Sequence, residues 1–541
     1  MRLRGSGDDP VGAPSIGLIR ARATAYILDI SSRFHSRNTG CHKTAPRNLE
    51  SDRMIGFPRG RIAFRMFQKK DLESLHWGTL DVLENAGIKV FSKECLKLLD
   101  DAGCTVDHKT SNAKLPGNLV EESIRKAKKN ITLCARTPKY DVVLDGRRVY
   151  CTTDGNGTSV LDFKTGKRRM STSADLAMVG KVANALDSAH IFWPCVSSQD
   201  IPDHVRHVVD LKVALSSIEK HVQVETTSHR REAQWLAKLG AALAGGEKEL
   251  RRRPIFSSMH CPFSPLQLDG GSTEGALALA RAGVPISFYG MPQAGITGPV
   301  TLAGSIIVNN AEVLAGLTMA QLAAPGSPFM YGTGGAAFDM KTMTWAGGGP
   351  ERALISAGAG ELAHHYGFPI LCGGIVTSAK MPGPQACYEK MSSGLPQFYA
   401  GCDMIAGLGL LDDVTMLSYE QMVIDDEMAR IMARLAYGVT VDDDHLAVDV
   451  IKKVGPGGSF LSERHTLQWL HKEHFMTDIT DRRTGEAWEA DGRKSVVDRA
   501  RAKAEKIMKE HEVAPVSSDV TKEFDRIVRE ADKDIKSHGL D

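Results

Sequence analysis

Tyr366–Lys390 runs YGFPILCGGIVTSAKMPGPQACYEK, and its punctuation decides the fold. Phe368–Cys372 is a short apolar run between Gly367 and Gly373, with Ile370 and Leu371 at its centre, as expected of a strand buried on both faces. Gly373 and Gly374 let the backbone turn sharply. Thr377, Ser378, Lys380, Pro382, Gly383 and Pro384 then form a polar, conformationally restricted loop before a helix restarts near Gln385. Strand, loop and helix make one βα unit, whose loop in a closed barrel lies at the carboxyl end of the strand, where barrel enzymes keep their chemistry. An ordinary βα connection has the same composition, so the loop alone assigns no function.

Outward from this unit the same rhythm repeats. Strands are predicted at Ile191–Trp193, His221–Glu225, Ile255–Met259, Pro285–Tyr289, Phe329–Gly332, Pro369–Cys372 and Met404–Ala406. Helices long enough to cross back over a parallel sheet are predicted at Val300–Leu322, Glu351–His365, Gln385–Ala400 and Tyr419–Tyr437. A strand near Val414–Leu417 is expected to supply the eighth. The pattern predicts an α/β fold, a closed (β/α)8 TIM barrel over residues 173–440, and no GxGxxG follows the first strand to indicate a dinucleotide fold.

Residues 54–172 are expected to add helices and a β-hairpin ahead of the barrel. Lys69 opens a stretch with apolar residues at helical spacing that ends at Gly87, and Tyr140–Thr153 alternates around Asp145-Gly146 as a hairpin does. Asp154, Gly155, Asn156 and Gly157 follow, a loop rich in hydrogen-bonding groups that either closes over a pocket or only turns the chain. Residues 441–541 are expected to be a C-terminal helical segment packed on the barrel or on a neighbouring subunit, in a homo-oligomer. Residues 1–53 carry nine basic and five acidic side chains with few apolar ones, which predicts a disordered extension or a mis-assigned start upstream of Met54 or Met66.

The chain has 541 residues, 42% of them hydrophobic, as expected of a globular protein. A formal charge of +2 gives no reason to expect nucleic acid or an anionic membrane as partner. Ten cysteines are scattered without a CxxC pair, which points to buried thiols and a cytoplasmic location. His465, His471 and His474 match neither HExxH nor a zinc-finger spacing, so no metal site is assigned. GxSxG is absent and no nucleophilic triad is arguable.

Candidate functional groups gather at the predicted strand ends. Phe192, Trp193, Tyr289, Tyr331 and Tyr388 are aromatic; several at one mouth would form a cage for a quaternary ammonium group, although each is equally at home in a core. Glu225, Gln293, Thr333 and Lys380 are candidate polar substrate contacts, and His260 and Asp339 are candidate catalytic groups.

Five segments, DLESLHWGTLDVLENAGIKV from Asp71, MPQAGITGPVTLAGSIIVNNAEVLAGL from Met291, MYGTGGAAFDMKTMTWAGGGPE from Met330, TSAKMPGPQACYEK from Thr377 and FLSERHTLQWL from Phe460, resemble the trimethylamine methyltransferase family. The resemblance runs from about residue 68 to the C-terminus. It implies a TIM barrel that moves a methyl group from an amine to the cobalt of a separate corrinoid (cobalamin) protein, with no cofactor held tightly by the chain itself. Members that act on trimethylamine carry pyrrolysine, placed by the resemblance near Thr377–Met381, where this chain has only ordinary residues. It is therefore similar to the pyrrolysine-lacking branch, which includes glycine betaine methyltransferases. Two other readings stand beside this one: a zinc-dependent corrinoid methyltransferase using Cys261, Cys372, Cys387 or Cys402 with His260, and a non-catalytic betaine-binding protein.

Overall fold

Arg148–Thr153 is buried on both faces along almost its whole length, as a strand inside a parallel sheet must be. It supplies the barrel strand that the segment near Val414 was expected to supply. In the computed structural model, which describes residues 55–538, eight parallel strands form the ring: β1 (Arg148–Thr153), β2 (Ala189–Phe192), β3 (His221–Val224), β4 (Phe256–His260), β5 (Ile286–Gly290), β6 (Phe329–Thr333), β7 (Ile370–Gly373) and β8 (Met404–Leu408). Strand β8 pairs with β1 through Met404↔Tyr150 and Ile405↔Cys151, closing the barrel. The alternating helices are α1 (Ser173–Ala185), α2 (Arg206–Ser217), α3 (Arg230–Ala244), α4 (Gly270–Ala282), α5 (Leu302–Ala323), α6 (Pro350–Tyr366), α7 (Pro384–Ala400) and α8 (Tyr419–Tyr437). The fold is the expected (β/α)8 barrel, with a strand at each of the seven positions predicted from Ile191 to Ala406. The predictions for residues 1–53 lie outside the described residues.

Two local expectations are corrected. Tyr140–Thr153 is not a hairpin: Val142–Leu144 pairs antiparallel with Ile131–Leu133, and beyond the Asp145-Gly146 turn the chain enters the barrel as β1. The Asp-Gly turn is real, but burial of both faces of the following strand directs its pairing to β8 and β2. The barrel thus begins ahead of Ser173. Of 414–417, only Met416–Leu417 is extended, in a small sheet with Leu410–Leu411 and Ser159–Leu161 rather than in the barrel.

Side-chain alternation along the strands divides the core in two. Tyr150, Ile191, Trp193, Met259, Tyr289, Met330, Leu371 and Met404 form one buried cluster inside the ring, joined at the strands' starting end by Ile131, Leu133, Val142 and Leu144 from the antiparallel pair. That pair plugs the bottom of the barrel. Phe192, Val222, Phe256, Phe288, Tyr331 and Cys372 belong to the larger cluster between strands and helices. Helix α5 is long and apolar enough to cross a membrane by length and composition, yet 78% of that window is buried in the protein. Its Asn310 donates to Thr79 Oγ1 at 2.9 Å and Tyr366 Oη at 3.0 Å, fixing the helix Lys69–Asp81 against α6. The last helix, Ser518–His538, buries Phe524, Ile527, Ala531 and Ile535. Bonds from Trp235 Nε1 to Asp534 (2.9 Å) and from Arg231 to Asp534 (3.1 Å) hold it on α3.

Candidate active site

Loops at the carboxyl ends of the strands build two small sheets around an opening. Ser159–Leu161, Arg168–Met170, Leu410–Leu411 and Met416–Leu417 make one; Gln293–Ala294, Ala336–Asp339 and Thr344–Ala346 make the other. Between them lies a cavity of about 260 Å³ whose walls include Asp154, Trp193, Glu225, Met259, Cys261, Tyr289, Trp345, Arg352 and Val414. This is the face on which barrel enzymes carry their sites.

Three aromatic side chains wall it. Trp193, just past β2, meets Tyr289 of β5 edge to face at 6.1 Å between centroids, the arrangement ring quadrupoles favour. Trp345 comes from the hairpin Ala336–Ala346 and lies under Arg352, whose guanidinium carbon is 4.7 Å from a ring centroid. Arg352 occupies the first turn of α6, where it donates from Nε to the Gly373 carbonyl at 3.1 Å and from Nη1 to the Gly334 carbonyl at 3.2 Å. Among the described residues those bonds use two of the guanidinium's five N–H donors and fix it in place.

Glu225 and Asp154 supply the acidic side. Trp193 Nε1 donates to Glu225 Oε1 at 2.6 Å, locking indole and carboxyl together. Gly155 crosses so closely over this pair that a Cβ would collide with both, which accounts for glycine at this position. Burial pushes the Glu225 carboxyl up to about 7 against the opposing hydrogen bond from Trp193. Burial likewise raises Asp154 to about 6, with the Arg352 charge pulling it back. Both titrate near neutral pH, so a cation entering the cavity displaces protons from them. The Cys261 thiol is pushed up to about 12 by burial and is therefore neutral. Its Sγ lies 3.4 Å from Met259 Sδ and 3.7 Å from Met291 Sδ, making a soft, polarisable wall. At the rim Val414 holds φ +67°, unusual for a β-branched residue.

Of the residues singled out from the sequence, Trp193, Glu225 and Tyr289 come together in this cavity. Phe192, Tyr331 and His260 do not, because strand alternation turns them toward the helices: Tyr331 Oη donates to Asn310 Oδ1 at 3.0 Å, and His260 Nε2 lies 3.1 Å from Ser258 Oγ. Burial drives His260 down to about 3, so it is neutral. Thr333 is buried at the end of β6 outside the cavity wall. Asp339 caps a turn, accepting from the Lys341 and Thr342 amides, and Gln293 receives the Ile296 and Thr297 amides on its carbonyl. Lys380 bonds the Ser378 carbonyl at 2.6 Å and pairs with Asp412 at 3.1 Å, and Tyr388 is exposed on α7.

Asp154, Trp345 and Arg352 were not among the sequence candidates. Asp154 had a visible signal, a Asp-Gly-Asn-Gly loop after an apolar run. Trp345 and Arg352 sit beyond a strand end, on a hairpin and a helix start that periodicity does not aim at the barrel axis. The cysteines proposed as zinc ligands do not gather at one place: Cys372 and Cys402 lie together outside the ring, Cys387 is on α7 and Cys261 is in the cavity wall. Among the described residues no three His, Cys, Asp or Glu side chains converge as a metal site would require.

Known proteins resemble this sequence along nearly the whole chain. The family model for trimethylamine methyltransferase (MTTB) matches residues 34–535. Trimethylamine methyltransferase MttB of Desulfitobacterium hafniense is 36% identical over 466 residues, 86% of this chain and 94% of that protein. Trimethylamine methyltransferase MttB1 of Methanosarcina acetivorans is 33% identical over 87% of this chain and 96% of its own length. The glycine betaine methyltransferase of Desulfitobacterium hafniense is 31% identical over 79% and 88%. With one family model spanning the barrel and both flanking segments, and relatives matched nearly end to end, the chain belongs to the trimethylamine methyltransferase family.

Proposed function

We propose that this protein takes a methyl group from a quaternary amine carrying a carboxylate, glycine betaine or a close analogue, and delivers it to the reduced cobalt of a separate corrinoid protein. It works in the cytoplasm as a homo-oligomer. The observation that carries the reading is the composition of the cavity wall, in which Trp193, Tyr289, Trp345, Glu225 and Asp154 stand with one cationic side chain, Arg352. Aromatic faces and carboxylates suit a diffuse ammonium charge. A guanidinium with donors to spare suits a carboxylate. Trimethylamine offers nothing for Arg352 to hold.

The corrinoid is a co-substrate, and when docked it supplies the nucleophile. The residues of this chain have three tasks. Trp193, Tyr289 and the two carboxylates hold the ammonium and its remaining methyl groups. Arg352 fixes the carboxylate end, so that one methyl is held in a single orientation toward the opening. The apolar walls, Met259 and Met291 among them, exclude water from the carbon under attack. The C–N bond breaks with its electron pair passing to nitrogen. A quaternary nitrogen leaves as a neutral amine, so the step needs no general acid, and neutral His260 behind β4 need not take part.

The test is binding by calorimetry. Glycine betaine should bind in a one-to-one ratio, choline more weakly for want of a carboxylate, and trimethylamine most weakly. Equal affinity for betaine and trimethylamine would remove the role given to Arg352.

A further inference from the structure

We propose a second ligand site, for a small polyphosphate-bearing molecule, at the end of the barrel opposite the active-site cavity. A cavity of about 570 Å³ opens there, lined by Lys128, Arg251, Arg252 and Arg281, with Pro254, Pro285 and Pro328 along its floor and no acidic side chain in its wall. Each of these prolines stands just before a barrel strand, β4, β5 or β6, so the floor is the rigid start of the sheet. Its volume is in the range of small-molecule sites. Four cationic residues border one concavity whose wall has no acidic side chain, and the positive field they set up there favours an anion.

The competing explanation is that the cations cap the carboxyl ends of α4 and α5, which border this cavity. That accounts for Arg251, which donates from Nη2 to the Arg281 carbonyl at 2.6 Å. It leaves out Arg252, whose only charged partner among the described residues is Glu249 in its own helix at 2.6 Å, and Lys128, which has no carboxylate partner among those residues. Arg281 reaches Glu94 only at 3.5 Å, in a carboxylate already shared with Arg230. The chain at Lys128 is nevertheless fixed: it bridges to Pro328, with the Phe329 amide on the Lys128 carbonyl. The ammonium is thus presented from an anchored backbone.

Several guanidinium groups with one ammonium match the oxygens of linked phosphates better than a single carboxylate. Ala324 and Pro325 in the same wall offer apolar surface to an organic substituent. The site rests on its own residues and not on the reading of the methyl-transfer cavity.

The experiment is calorimetric titration of the full-length protein with inorganic pyrophosphate, at low and at physiological salt. Saturable one-to-one binding is expected, weakening as salt rises. The double substitution Lys128→Glu, Arg252→Glu should weaken it by about tenfold or more, with an unchanged circular dichroism spectrum. Lys380→Ala, a cation at the mouth, should leave it intact. The proposal is overturned if wild-type protein gives no saturable heat with pyrophosphate, or if the double variant, folded by its spectrum, binds as wild type does. If that variant fails to fold, Lys128→Ala alone decides, since Lys128 is exposed and its side chain holds nothing in place. Undiminished binding there overturns the site.

Discussion

Glu225 places a proton and the proposed substrate in competition. Its carboxyl, raised to about 7 by burial, and Asp154, raised to about 6, hold a cation only once ionised. Affinity for glycine betaine should therefore rise as pH increases from 5.5 to 8, with protons released on binding. Glu225→Gln should remove the upper part of that rise, as calorimetry in buffers of different ionisation enthalpy will report. Without substrate the sign reverses. The folded protein keeps the Glu225 proton up to about 7, whereas an unfolded carboxyl releases it near 4.5. The empty protein thus loses stability as pH climbs through that interval, and the Gln variant loses less. Trp193→Ala removes one face of the cage and the donor that positions Glu225. A desolvated cation–π contact of about 2 kcal/mol corresponds to a rise in KM of about 30-fold. Arg352→Ala should reduce kcat/KM for betaine far more than for choline, and steady-state kinetics with both substrates separates the two effects. Residue-level legibility followed strand parity. Trp193, Glu225 and Tyr289 were readable because they stand toward strand ends on the inward side, whereas Phe192 and His260 stand at equally good ends, and Tyr331 in mid-strand, one residue out of phase. A slip of one residue moves a side chain to the other face, and apolar runs buried on both faces carry no mark of which face is which.

Between elements, one buried ion pair holds α7 to α8. Lys390 Nζ lies 2.7 Å from Asp425 Oδ2 and donates to the Gly407 carbonyl at 2.9 Å, and neither side chain is exposed. Asp425 also accepts from the Gly409 amide at 2.8 Å and from Gln421 at 2.8 Å. Breaking such a pair strands a charge, so Lys390→Met should cost about 3–5 kcal/mol in denaturant unfolding. Lys390→Met combined with Asp425→Leu should recover much of that loss, because the stranded charge is gone. The order of strands and helices was legible from Ile191 onward because each βα unit carries its own glycine and proline punctuation. β1 escaped because a true Asp-Gly turn precedes it and its near neighbours, Val142–Leu144, do form a hairpin, with a partner further upstream. The active-site walls were harder to read. The hairpin that brings Trp345 into the cavity and the rim at Val414 are loop structures whose course is fixed by tertiary contacts, such as the Ser378 hydroxyl on Asp413 at 2.8 Å, and not by periodicity.

For the molecule as a whole, the segment after α8 carries apolar side chains exposed among the described residues: Val439 and Val441 are 74% and 72% exposed, Ile451 54% and Leu467 56%. In the proposed homo-oligomer these side chains form the contact between copies. The same stretch carries Asp442, Asp443 and Asp444 at one end and Lys452 and Lys453 at the other, so an antiparallel pairing across a two-fold axis brings opposite charges together. Light scattering after gel filtration should give an oligomer, and Val441→Lys with Ile451→Lys should reduce its mass without abolishing betaine binding. The decisive measurement is methyl transfer itself. The purified protein is mixed with a reduced corrinoid protein and, in separate reactions, with glycine betaine and trimethylamine, and the methylated corrinoid is followed by its absorbance. The account predicts transfer from glycine betaine, a matching yield of the demethylated tertiary amine, and loss of most of the rate in Trp193→Ala and Arg352→Ala. Transfer from trimethylamine in preference to glycine betaine, or a rate untouched by both substitutions, would contradict it.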